Sequence, residues 1–152
     1  MSTSDPNEPL PVMATQDAQG WAQHMTEFMA QTAGVTLNPS STGPTFEACV
    51  GEKGEVAKDG RYTMSYAVYS PAPLDQHPEA VRKIRAMLEQ QGFTIKGYRE
   101  TVNGKVAALL DAFQPSGRYL VSVETTVTKE LLLFQINTRC LMPPATPSAT
   151  SS

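Results

Sequence analysis

The chain has 152 residues, enough for one ordinary domain, and only 18% of them are charged against 40% hydrophobic. No run of about 18 apolar residues occurs, so no transmembrane helix is expected. A net charge of −3 argues against nucleic-acid binding and against attraction to an anionic membrane surface.

Residues 1–14 are rich in Pro, Ser and Thr and cannot bury enough apolar surface to offset the cost of ordering. They read as a disordered tail or tether. Residues 143–152 read the same way, which leaves a single domain over 15–142. Within it, Trp21, Met25, Phe28 and Met29 fall on one helical face between Thr15 and Ala33. Thr15 is placed to cap that helix and Gly34 to stop it. His24 lies on the same stripe and reads as a histidine at the core margin, not as a catalytic base.

A Pro/Ser/Thr/Gly loop over 38–44 leads into a short strand over 45–50 that contains Cys49. Residues 51–60 read as a hairpin loop. From Arg61 to Ser70 the pattern alternates, with Tyr62, Met64, Tyr66 and Val68 on one face. Pro71-Ala72-Pro73 breaks the chain before a second helix, which has Asp75 or His77 near its N-cap and Pro78 in its first turn. Ala80, Val81, Ile84, Met87 and Leu88 form its apolar face, and Gly92 ends it. Arg82, Lys83 and Arg85 form a basic cluster that could hold phosphate, but an ordinary solvated helix face is favoured.

Asn103-Gly104 between 93–102 and 105–114 is the preferred composition for a two-residue type I′ hairpin. Unbroken pairing from that turn sets Tyr98 opposite Leu109 and Lys96 opposite Asp111. Phe93, Ile95, Gly97, Val106, Ala108, Leu110 and Ala112 then face the core, while Lys96, Tyr98, Glu100, Lys105 and Asp111 face outward. A turn at Pro115-Ser116-Gly117 leads to a strand over 119–124, and residues 126–129 turn again. The last strand, 131–138, places Leu132, Phe134 and Ile136 on one face and Leu131, Leu133 and Gln135 on the other. Apolar residues on both faces at its start imply a central strand or a covered second face. The expected fold is α+β: an antiparallel sheet of about six strands with two helices packed on one face.

No nucleophile-elbow, phosphate-loop, dinucleotide or zinc-protease motif is present, and the chain has two histidines. No catalytic, cofactor-binding or metal-binding residue is therefore assigned, and no cofactor is expected. Glu47, Glu52, Glu100, Asp111 and Glu124 could converge as carboxylates of a hydrolase, the least favoured reading. Tyr98 with Leu109, and Leu131 with Leu133, are candidates for an interaction surface, unless loops or the tails cover them.

The two cysteines, Cys49 and Cys140, flank the sheet-forming region. They could be separate buried thiols, but a disulfide is favoured, because it would tie the first strand to the last. No secretory signal follows Met1, so the chain is either cytosolic or the mature region of a secreted protein.

Trp21 in the first helix, Phe46-Glu47-Ala48-Cys49, Tyr62-x-Met64-x-Tyr66, Gly92-Phe93 and Thr138-Arg139-Cys140-Leu141-Met142-Pro143-Pro144 together form a pattern. The pattern resembles small secreted lipoproteins of actinobacteria that have no assigned activity. The resemblance covers residues 15–144 and carries over no catalytic residue. It implies an extracytoplasmic domain whose only membrane link is an N-terminal lipid anchor, although Met1 stands where the anchor cysteine would be. The sequence thus points to a non-enzymatic domain that binds a protein or small molecule outside the cytoplasm. The alternative is a cytoplasmic interaction module, such as a secretion chaperone or an immunity-type inhibitor.

Overall fold

The computed structural model of the chain describes residues 11–38, 43–50, 56, 59–126 and 130–144. Helix α1 (Thr15–Ala33) starts after an extended Ala14 without a side-chain cap, so Thr15 belongs to the helix itself. Gly34 ends it at φ 76°, and the Val35 N–H reaches back to the Ala30 carbonyl. Only glycine adopts that left-handed turn without steric cost.

The buried seam of α1 consists of Ala18, Ala22, Thr26, Met29, Ala30 and Ala33. Trp21 and Met25 lie at its margin, while His24 and Phe28 are exposed. The helix is therefore rotated from the face that its large residues imply. Alanines lie where α1 meets α2 and the sheet, because small side chains let the elements approach closely.

Six strands follow: β1 (Pro44–Ala48), β2 (Tyr62–Ser70), β3 (Thr94–Val102), β4 (Lys105–Gln114), β5 (Tyr119–Thr125) and β6 (Leu132–Asn137). Between β2 and β3 come a single 3₁₀ turn, Leu74–Gln76, and helix α2 (His77–Gln90). All pairings are antiparallel, in the order β1-β2-β6-β5-β4-β3. β6 is thus an interior strand, which accounts for its apolar character on both faces.

Helix α2 lies over β3 and β4, and α1 over β2 and β6. One face of the sheet meets both helices. There Val68, Phe134, Val123 and Leu110 form a continuous cross-strand row, and none is more than 1% exposed. The architecture is the expected α+β fold. Among the described residues no helix is long and apolar enough to cross a membrane.

Two further expectations are corrected. The β3–β4 pairing begins as the turn dictates, with Val102 opposite Lys105, and Asn103 and Gly104 at φ 53° and 80°. Irregularities between Arg99 and Thr101, and between Ile95 and Gly97, then shift the register by one residue over Gly97–Arg99. Tyr98 pairs with Leu110 and Gly97 with Asp111. Tyr98 and Glu100 therefore turn to the helix side, and Gly97 turns to the open face. Bulges add or drop a residue without changing the composition of the strand, so alternation alone does not reveal them.

The second correction concerns the termini. Residues 11–14 dock on the domain: Val12 bridges Met142, the Met13 N–H donates to the Met142 carbonyl, and the Tyr62 hydroxyl donates to the Met13 carbonyl at 2.5 Å. Residues 1–10 and 145–152, and most of the 51–60 hairpin loop, lie outside the described residues.

Each cation of the α2 cluster has its own acid. Arg82 pairs with Glu100, Lys83 with Glu79, and Arg85 with Glu89, while the Arg85 guanidinium also lies 4.6 Å from the Tyr98 ring centre. Hydrogen bonds from Arg82 and then from the Tyr98 hydroxyl lower the Glu100 carboxyl from its usual 4.5 to about 2. A carboxyl depressed on folding stabilises the native state above its unfolded value, and the gain disappears as pH falls. The Arg82–Glu100 contribution should therefore be complete above about pH 4.5 and fade toward pH 2. Urea midpoints of Glu100→Gln should show a shallower loss of stability over that window than the parent. Identical acid limbs would contradict the assignment.

Candidate functional site

The two histidines have separate fates. His24 is exposed on α1. His77 is fully buried at the start of α2. Its Nε2 lies 3.0 Å from the Ala72 carbonyl, which can only accept, so Nε2 carries the proton. Nδ1 then accepts from the Thr125 hydroxyl at 2.8 Å, and that oxygen accepts from the Ala108 N–H at 3.1 Å. Both ring nitrogens are occupied, and the ring ties α2 to β5 and β4. Its role is structural. His77→Leu strands the Thr125 hydroxyl and the Ala72 carbonyl, which should cost about 2–3 kcal/mol at roughly 1–3 kcal/mol per buried unpaired group. A chemical denaturation curve superimposable on the parent would count against this role.

The four described carboxylates do not gather at one place. Glu47 is exposed on β1, and Glu100 is on the helix side with Arg82. Asp111 and Glu124 lie on the opposite face, where the Ser122 hydroxyl donates to Asp111 at 2.7 Å. Glu52 lies outside the described residues. No group of three or more His, Cys, Asp or Glu among the described residues is placed to hold a metal ion.

On the face of the sheet away from the helices, Tyr69, Leu133, Glu124, Leu109 and Arg99 form one cross-strand row. Leu133 and Leu109 are half-buried there. Tyr98 has left that surface for the helix side, so the expected Tyr98–Leu109 pair does not exist.

Cys49 and Cys140 form a disulfide, with Cα atoms 6.1 Å apart. It joins the residue after β1 to the segment that follows β6. That segment is also stitched to β2 by reciprocal backbone hydrogen bonds between Tyr62 and Leu141. The disulfide thereby pins Arg139 and Leu141 in place.

These two residues form one wall of a cavity of about 220 Å³. Pro11 and Met13 close it from the N-terminal side, Trp21 from α1, and Tyr119 from β5. The aromatic rings stack edge to face: Trp21 on Tyr119 with centres 4.7 Å apart, and Phe93 on Tyr119 at 5.7 Å. Burial pushes the Tyr119 hydroxyl above its usual value of 10, so it stays protonated at neutral pH. Gly117 also lines the cavity, and a Cβ there would come within 2.7 Å of the Tyr119 ring.

The sequence alone does not reveal this cavity. Residues 11–13 read as a tail and Gly117 as part of a turn, and the walls come from four separate stretches of chain. The signal that could have found it is Arg139 between Thr138 and Cys140, a charge set into an apolar terminal segment.

Compared with protein-family models, curated proteins and solved structures, the chain matches none.

Proposed function

We propose that the chain is a non-enzymatic, extracytoplasmic binding domain that takes a small ligand in the cavity lined by Trp21, Tyr119, Arg139 and Leu141. The observation that carries this reading is the Cys49–Cys140 disulfide and its position. It holds Arg139 and Leu141 as a wall of the cavity, so the site is built around a bond that persists in oxidising compartments. The cavity has the composition of a small-molecule site, with aromatic and aliphatic walls and few polar groups. The resemblance to secreted lipoproteins favours the same compartment.

Thiol titration of the denatured, unreduced protein from its native host tests the compartment. No reactive thiol is expected. Two free thiols would transfer the domain to the cytoplasmic alternative.

A further inference from the structure

The walls of the Trp21–Tyr119 cavity define the chemistry of an occupant, an inference that rests on the binding-domain reading above. Arg139 is half-buried and lines the cavity. Its guanidinium has no ion-pair or hydrogen-bond partner among the described residues. Three other arginines contrast with it: Arg61 is held by Asp59, Arg82 by Glu100, and Arg85 by Glu89. The chain carries 15 acidic and 12 basic residues, so acids are not scarce. A half-buried guanidinium left without one, beside an apolar cavity, is complementary to an anion that the ligand supplies.

Size narrows the class further. The cavity of about 220 Å³ falls below the roughly 300–1,000 Å³ that takes a drug-sized molecule. It exceeds the roughly 150 Å³ that suffices for benzene. One ring and a short arm fit. Trp21 and Tyr119 offer ring edges and faces, and Met13 and Leu141 offer aliphatic and thioether contacts to the same ring.

We infer that the cavity binds a small arylcarboxylate, with its ring against Trp21 and Tyr119 and its carboxylate on the Arg139 guanidinium. Gly117 is part of the specificity. A methyl group at that position would push the Tyr119 ring, already wedged between Trp21 and Phe93, toward the space the ligand needs.

The probe is 3-phenylpropionate, titrated into the full-length oxidised chain. Trp21 is the only tryptophan, so its fluorescence reports on this cavity alone. A saturable change is expected, with 3-phenylpropanol, the neutral counterpart, binding at least about tenfold more weakly. Arg139→Gln should weaken the acid to the level of the alcohol, and Arg139→Lys should recover part of the difference. Gly117→Ala should weaken both probes. The acid–alcohol comparison needs no variant, so it stands even if a substitution impairs folding. Equal affinity for acid and alcohol, or binding of the alcohol alone, would overturn the carboxylate inference and leave the binding-domain reading intact. Failure of both probes on the parent overturns both.

Discussion

The Cys49→Ala/Cys140→Ala variant is expected to lose roughly 4–5 kcal/mol of stability, because the unfolded chain regains the entropy that closing a loop of this length removes. The bond spans a sequence separation of 91. For a domain whose total stability is of order 5–15 kcal/mol, that loss is a third or more. The effect also has a place in the molecule. β1 pairs only with β2, and the disulfide is its covalent tie to the end of the chain. Hydrogen exchange should therefore rise first in β1 and in residues 138–142, before the interior strands. Urea curves with and without reductant give the magnitude. A shift of less than about 1 kcal/mol on reduction would show that the bond removes little entropy from the unfolded chain and would overturn this account.

Phe134→Ala is the second large effect, at about 3–5 kcal/mol. Phe134 is fully buried on β6, opposite Val68 on one side and Val123 on the other. Its neighbours belong to strands whose backbones cannot close in on an empty space without breaking pairings, so the cavity term should persist. The urea midpoint should fall while the slope stays constant, because the surface exposed on unfolding hardly changes. Leu120→Ala is the internal control. Leu120 is 39% exposed on the open face of the sheet, and its loss should stay near 0.5 kcal/mol. Comparable losses at the two sites would mean that the core is not centred on β6.

Where side-chain alternation meets a single buried face, the sequence carried the architecture. β4 runs from Lys105 to Gln114 as its pattern requires, with Ala108, Leu110 and Ala112 inward. Leu132, Phe134 and Ile136 fill the core from β6. The face of α1 was not legible in the same way, because Trp21 and Phe28 dominate any hydrophobic count while four alanines, with Thr26 and Met29, form the buried seam. An alanine seam answers to the shape of its neighbours, and no single-helix pattern contains that shape. The β3 bulges were hidden for a related reason: the exchange of faces at Gly97 and Tyr98 is rewarded by Arg85 above Tyr98 and Arg82 beside Glu100. Those partners lie on another element. The cavity is the extreme case, since Met13, Trp21, Tyr119 and Leu141 become neighbours only once the whole sheet is assembled.

The position of β6 also sets the order in which the molecule can be completed. It is the last strand in the chain, yet it lies between β2 and β5. A polypeptide emerging N-terminus first holds two incomplete halves, a β1–β2 hairpin and a β3–β4–β5 meander. Each half has an apolar inner face and one edge, β2 or β5, that awaits β6. Non-local closure of this kind is slow, and open edges invite pairing with other chains in the meantime. Residues 132–137 arrive to fill both edges at once, and Cys140 follows directly behind them. The disulfide therefore cannot close before the residues of β6 have emerged. A chain cut short before β6 would lack the partner of Cys49 and leave the β2 and β5 edges unfilled.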